Sequence, residues 1–585
     1  MVADRSSSST ARPRTGHRVA GIAPVYWLAL AVALYFAVSV VLSWVRALDL
    51  TTTTWDLGIY QQALWSTAHG RPFWEAADAE TGGYGSFLQV HSAFVLYLLV
   101  PLYAAVPSAV TLFVVQSAAV ALAALPLFAL GRDQTGSSRW GLAAAVVYLA
   151  WTPVLAANLY DFHVEAFLPL ELFSFVLLWS RGRYLAGAAV AALACATIEL
   201  APVLLFFAGL FFLLPGRAEW RAALARRGPA GGVRSLGRFL PAELRRALHD
   251  RRVVATLALL AGTVGAYLFL LLLREQLLSA WFGFPAFPST SHGYVVGATA
   301  PTLGLAGGNL FVGLSTKLVA WLILLALLGF IPLLAPRALL LAAPWFVFTL
   351  FSANLDYVTI GFQYGFIVAA SLLVAFTYGL VPIDRWLRQH RPARSPGVGL
   401  PAGHGGNRRR WLPPAVRSYP PTLVALGLIA LVAVNVAVSP ANPLVDRLGE
   451  GAAYQITIPP APGFADAEAV AGLVPAGAEV LASDNLFPFV ANDLNAYSLH
   501  WGPDPSLALP FSAADPPTYA LLSESRADAV PAWLNASLAH PSTYGLRGVA
   551  WSTPAGTVRL FEVGFAGAPE EFGAPPPATG ANDRS

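Results

Sequence analysis

Residues 22–65 read IAPVYWLALAVALYFAVSVVLSWVRALDLTTTTWDLGIYQQALW. The run 22–45 carries no charge, and a helix of about 20 such residues spans the ~30 Å hydrocarbon core of a bilayer. Five residues behind it come four threonines, then an acid at Asp56 and an amphipathic stretch, so a membrane crossing opens into a polar segment. The rest of the chain fits this reading. Of its 585 residues 56% are hydrophobic and 12% charged, with a mean hydropathy of +0.59. That composition excludes a water-soluble globule and predicts an all-α polytopic membrane protein.

The same length criterion predicts about eleven transmembrane helices, at residues 22–45, 108–130, 140–157, 164–180, 184–199, 201–215, 253–273, 312–334, 338–352, 360–381 and 421–438. The first run is too long for the apolar core of a secretory leader, so it reads as a retained anchor behind a disordered cytoplasmic tail at 1–20. Residues 21–439 then form one multi-pass membrane domain.

Arginines orient it, because basic loops collect on the cytoplasmic side. Residues 216–252 hold ten arginines against three acids, and 382–418 hold eight against one. Arg132, Arg139, Arg181, Arg183 and Arg337 fall on that same side. The segment from Pro440 onward holds fifteen acids and five arginines and is expected outside. The net charge of +4 therefore averages two opposed faces, and it points to membrane lipid as a partner and not to nucleic acid. The single cysteine, Cys195, leaves the outer segment without a disulfide or a cysteine-based metal site.

Two outer juxtamembrane helices are expected, at 57–69 and 87–103. In the first, Leu57, Tyr60, Leu64, Trp65 and Ala68 recur at helical spacing, and Gly70 is a natural stop. The second is apolar and bounded by Pro101 and Pro107; counted as a crossing, it would throw Arg132 and Arg139 outside. Residues 440–565 read as a small extracytoplasmic α/β domain. There DAEAVAGLVP is helix-like, GAEVLAS and TYALLS are strand-like, and RGVAWSTPAGTVRLFEV is a hairpin. Asp484, Asn485 and His500 are its notable polar residues. The Pro- and Gly-rich end at 566–585 reads as a disordered tail.

The polar residues at the outer rim are the candidates for chemistry. NLYDFHVEAF, between the third and fourth crossings, puts Asp161, His163 and Glu165 within five residues. On a helix Asp161 and Glu165 share a face and His163 does not. The cluster can supply an acid, a ligand pair or hydrogen bonds to hydroxyls, or its acids can simply complement a helix dipole. Glu199 in ATIELAP is an acid between two tightly joined crossings, either functional or reaching water through a short turn. His91 lies in an apolar segment and needs a polar partner. Lys317 and Arg274 are the cations near the outer ends of their crossings, open to an anionic partner or, for Arg274, to snorkelling toward lipid headgroups. Gln363 and Tyr364, with Asp356 and Tyr357, suit sugar hydroxyls and rings, though tyrosines also line membrane interfaces. The loop after Arg274, with His292, is long and aromatic.

WDLGIYQQALW, FLQVHSAF and YDFHVEAF resemble an uncharacterised bacterial membrane family, domain of unknown function twenty-seventy-nine. The likeness covers roughly the first 380 residues and, more faintly, VPAGAEVLASDNLFPFVAN. A first crossing followed by a loop with an acid, two juxtamembrane helices, a histidine near the start of the second and another acid after the third crossing also resembles the GT-C glycosyltransferases. That resemblance implies sugar transfer from a polyprenyl-phosphate carrier to a cell-envelope glycan or protein acceptor at the outer face of the plasma membrane. It implies Asp56 as general base, Asp161 and Glu165 as acids shaping the catalytic centre, and His91 or Lys317 as the contact for the carrier phosphate. Asp56 also directly precedes a predicted helix, where an aspartate can serve only as an N-cap. Many GT-C enzymes have two adjacent acids here, whereas Leu57 follows Asp56; a divalent metal stays open, with no metal ligands assigned. A transporter or flippase would instead carry polar residues to the inner face. A non-catalytic envelope-assembly protein would tolerate loss of Asp56.

Overall fold

The computed structural model describes residues 19–77, 86–214, 250–282, 309–390, 420–440, 442, 464–499, 511, 517–523, 547–553 and 556–563. Residues 1–18 of the expected N-terminal tail, the expected C-terminal tail, most of both basic linkers, the His292 loop and His500 lie outside these residues.

Apolar runs become helices because a helix satisfies every backbone group internally, the one requirement lipid imposes. Among the described residues four helices are long and apolar enough to cross a membrane: Pro24–Leu48, Ala109–Thr135, Arg251–Leu272 and Gly365–Gln389. The pair Ser138–Ala150 and Thr152–Leu159 makes a fifth span if taken together across a 46° bend. Tyr184–Cys195, Ala201–Leu213, Leu314–Ala326 and Pro421–Ala437 are shorter apolar helices. Eleven uniform crossings thus become several apolar helices of unequal length. The runs at 312–334 and 338–352 are both broken, by 3-10 turns at Ile331–Leu334 and Ala338–Leu341.

The 46° bend has a clear cause. Pro153 has no N–H to continue the helical ladder, so the chain turns at Trp151. The backbone freed there is met by Asn435, whose Oδ1 accepts from Thr152 N at 3.0 Å while its carbonyl accepts from Thr152 Oγ1 at 3.0 Å. The bundle core mixes small and aromatic side chains, with Ala144, Ala145, Ala369 and Ala375 packed among Trp151, Phe173 and Phe376, all fully buried. Small residues let helices approach closely where lipid supplies no hydrophobic drive.

Behind the first helix, Val19–Leu48, the chain makes one π-helical turn at Thr54–Gly58 and then a helix at Ile59–Ala68. Gly70, at φ 87°, ends that element. The second expected juxtamembrane helix is not continuous. Residues 87–103 form a short turn at Phe87–Val90, a 3-10 turn at Phe94–Leu98 and a further turn beginning at Val100, with His91 extended at φ −120°, ψ 144°.

The C-terminal segment contains a mixed sheet of order β2-β1-β3-β5-β4. Strands β1 (Val480–Ala482), β2 (Ala496–Ser498) and β3 (Tyr519–Ser523) are parallel; β4 (Arg547–Thr553) and β5 (Gly556–Glu562) form an antiparallel hairpin joined to β3. The helix Phe464–Ala471 buries Ala467 and Val470 against Val480, Leu521 and Leu560. This sheet sits directly on the loop that carries Asp56.

Candidate functional site

At one end of the bundle the Thr54–Gly58 turn meets the loop at 160–167. Asp56 projects from the turn and its carboxylate is held on both oxygens. Oδ1 lies 2.9 Å from His163 Nε2, and Oδ2 accepts from the Tyr160 hydroxyl at 2.5 Å and lies 3.4 Å from Thr53 Oγ1. The first two contacts go to a neighbouring loop, and Asp56 sits inside the turn Thr54–Gly58, so it is not acting as an N-cap. His163 Nδ1 is 3.1 Å from the Asp161 carbonyl, which can only accept. With a carboxylate on the other nitrogen, both ring nitrogens act as donors, the imidazolium pattern.

The surroundings favour that charged pair. Burial pushes Asp56 up, but the hydrogen bond and charge of His163, the Tyr160 hydroxyl and the charge of Arg46 outweigh it and hold the carboxyl below its usual range. Burial pulls His163 down, yet the Asp56 bond and charge, then Glu165, carry it above its ordinary value. Tyr160 stacks on the imidazole at 5.2 Å between centroids, and Tyr60 meets it edge-on at 5.8 Å.

Asp161 has a different position from the one its sequence spacing suggests. Residues 160–163 are not helical, so the shared face with Glu165 does not exist. Asp161 is fully buried behind the site, paired with Arg46 at 2.6 Å and accepting from Thr53 N at 3.2 Å. Arg46 also donates to the carbonyls of Leu159 and Thr51. His163, the member on the other predicted face, is the one that reaches Asp56.

A cavity of about 300 Å³ opens beside the pair, lined by Asp56, Glu165, Glu199, His91 and His163, with Trp55, Tyr60, Tyr160, Trp345, Tyr357, Gln363 and Tyr364 among its walls. Glu165 Oε2 and Gln363 Oε1 are buried without a hydrogen-bond partner among the described residues. Burial raises the Glu165 pKa, with His163 opposing. On the far wall Glu199 accepts from His91 Nδ1 at 3.1 Å and from Ser92 N at 3.2 Å. Burial raises Glu199, but His91 and these hydrogen bonds bring it below its usual range. Tyr364 stacks near Trp345 at 6.1 Å and packs edge-on against Tyr357 at 4.6 Å.

The two cations expected at the rim turn inward. Lys317 is fully buried and its ammonium donates to the carbonyls of Asn309, Leu350 and Ser352 at 3.0, 3.0 and 2.6 Å. An ammonium has three donors, so none remains for a phosphate; Lys317 ties a broken-helix region together. Arg274 does not snorkel. It is buried, donating to Ser92 Oγ at 2.7 Å and to the Gln89 carbonyl at 3.1 Å, one residue after and two residues before His91 of the His91–Glu199 pair. Among the described residues no group of three His, Cys, Asp or Glu side chains is placed to hold a metal ion.

Three participants were missed from sequence. Tyr160 adjoins the quoted cluster but looks like ordinary interface aromatic. Trp55 precedes Asp56 and lines the cavity mouth. Arg46 had a usable signal, being an arginine at the acid-rich end of the first crossing, where orientation by basic loops disfavours one.

Fold and site together define a helical membrane protein with an acid- and aromatic-lined cavity at one end of its bundle. The chain belongs to the DUF2079 family of predicted membrane proteins, whose profile matches residues 46–502. No curated protein matches it. Among solved structures it is similar to ArnT from Cupriavidus metallidurans bound to undecaprenyl phosphate. The TM-score is 0.46 at 15% identity, over 92% of this chain and 98% of that one. The apo form of that ArnT gives 0.44 at 16% identity, over 93% and 99%. An apo oligosaccharyltransferase from Archaeoglobus fulgidus gives 0.39 at 13% identity, over 81% of this chain and 64% of that one. What the cavity can do is decided by its own residues.

Proposed function

We propose that this protein is a GT-C-like glycosyltransferase that moves a sugar from a polyprenyl-phosphate carrier to an acceptor at the outer membrane face. The observation that carries the reading is Asp56, an ionised carboxylate held on both oxygens yet lining a cavity with aromatic walls. A carboxylate offers about four lone-pair positions, and three contacts on Asp56 leave room for a hydroxyl. In the reaction the acceptor oxygen attacks the anomeric carbon, its proton passes to Asp56, and the bond from that carbon to the carrier phosphate breaks with its electron pair leaving on the phosphate. The low basicity of Asp56 suits late proton transfer, once bond formation has made the hydroxyl acidic.

The two orphaned acceptors, Glu165 Oε2 and Gln363 Oε1, call for a ligand that brings donors. Sugar hydroxyls supply them, and Tyr and Trp faces suit a sugar ring. His91 is the contact we assign to the departing phosphate, with Arg274 supporting it through Ser92. Asp161 and Lys317 have structural roles in this scheme.

The test is transfer of labelled sugar from polyprenyl-phosphate donors in membranes containing wild-type protein or Asp56→Asn, with equal folded amounts. Transfer by wild type that is lost in the variant supports the scheme. Equal transfer by both removes Asp56 from catalysis, and no transfer with any donor overturns the transferase reading in favour of transport or assembly.

A further inference from the structure

Asp56 lies two residues beyond a point where the two parts of the chain grip the same backbone. The amide of Thr53 donates to buried Asp161 of the membrane part at 3.2 Å. The next amide, Thr54, is shared between Oδ1 and the backbone carbonyl of Asp484 of the sheet, at 3.0 and 3.1 Å. The Thr54 hydroxyl donates to the Asp484 carbonyl at 3.0 Å and meets Ser498 Oγ at 2.6 Å. Thr54, Asp484 and Ser498 are all buried.

The place where this happens is specific. Asp484 follows β1 and Ser498 ends β2, two neighbouring parallel strands. The carboxyl ends of parallel strands are where open α/β sheets take their ligands. Here they take Thr54 of the membrane part. The contact continues past Asp56. The Phe487 ring packs so closely on Gly58 that a Cβ there would lie 2.6 Å from its Cδ1. Gln62 Nε2 donates to the carbonyls of Asp493 and Ala496 at 3.1 and 2.9 Å, and Tyr103 donates to Asn492 at 2.8 Å. The π-helical turn carrying Asp56 is therefore bounded before and after by sheet residues.

We propose that the C-terminal sheet is a built-in part of the site, and that Asp484 and Ser498 are positioning residues that set where Asp56 meets His163. A loop of four threonines has no intrinsic reason to hold one conformation; consecutive amides anchored to two buried aspartates give it one. The consequence for turnover rests on the transferase reading above, whereas the holding itself does not.

The experiment is hydrogen exchange across residues 52–58 of the full chain in lipid nanodiscs, beside the sugar-transfer assay, for wild type, Asp484→Ala, Asp484→Asn and Thr54→Val. Asp484→Asn keeps an Oδ1 acceptor and is expected to match wild type in both readouts. Asp484→Ala leaves the Thr54 amide only the backbone carbonyl at that position, and should raise exchange at 53–58 about two- to tenfold, the net worth of one hydrogen bond. It should lower kcat with little change in the KM for donor. Thr54→Val, made on the membrane side so that the sheet stays folded, should act the same way. Unchanged exchange at 53–58 in Thr54→Val and Asp484→Ala, or Asp484→Asn behaving like Asp484→Ala, overturns the proposal. If wild type transfers no sugar, the transferase reading fails while the exchange result still decides whether the sheet holds the loop.

Discussion

Asp56 and His163 stabilise each other in a way that fixes a pH window. Asp56 lies below its ordinary 3.8, so its contribution is present above that value and is lost as pH falls through the lower folded one. His163 lies above its ordinary 6.5, so its contribution is full below that value and is lost as pH rises through the higher folded one. Both act together between pH 3.8 and 6.5. The pair's own contribution is flat there, and in thermal unfolding against pH His163→Gln should shrink the decline above pH 6.5; a decline of unchanged size in the variant assigns it to another group. In turnover, Asp56→Asn should cost roughly 10²- to 10⁴-fold in kcat, the usual worth of a positioned base, with donor KM little changed. Arg46 and Asp161 follow a different logic. Arg46→Ala leaves a buried carboxylate unpaired and should destabilise by about 3–5 kcal/mol. The pair of changes Arg46→Met with Asp161→Asn should restore much of that loss in denaturation experiments, because asparagine leaves no buried charge and keeps an acceptor for the Thr53 amide. The sequence made Asp56, Glu165 and Glu199 visible as acids at one rim. It could not show which neighbour Asp56 would choose, because His163 reaches it only when residues 160–163 leave the helix.

At the scale of elements, periodicity and apolar length located the helices but not their interruptions. The stretch 87–103 is apolar enough to read as one helix. It breaks at His91 because Glu199, 108 residues away, accepts from both His91 and the Ser92 amide. Likewise the break at Trp151 is stabilised by Asn435, 283 residues from Thr152. Partners so distant leave no mark in a local window, whereas Pro153, which starts that break, does. The role of Glu199 can be tested directly. Glu199→Ala should leave the Ser92 amide without its acceptor, cost about 1–3 kcal/mol, and raise hydrogen exchange at 91–93. Glu199→Gln retains an acceptor oxygen and should lose less. Equal losses in the two variants would mean that charge, and not the backbone bond, holds the segment extended.

The whole molecule has two chemically distinct ends. At one are Asp56, Glu165 and Glu199 with the sheet; the other holds Arg132 and Arg181 around Asp133, and Arg388 on the Thr135 carbonyl. The helix Ala109–Thr135 joins them. Gln116 binds the backbone of Asp161 and His163 at the site end, and from there to Arg132 the helix rises about 24 Å at 1.5 Å per residue. That span is close to a hydrocarbon core, the separation expected of two ends at opposite faces of the membrane. The excess of arginine at the far end predicts a cytoplasmic face there and an outward-facing cavity. In a Cys195→Ser background, a cysteine at exposed Asn354, beside the cavity, should react with a membrane-impermeant maleimide in intact cells. A cysteine at exposed Arg183 should react only after the membrane is opened. The reverse pattern would turn the cavity toward the cytoplasm, and an outer-face transfer could not be carried out there.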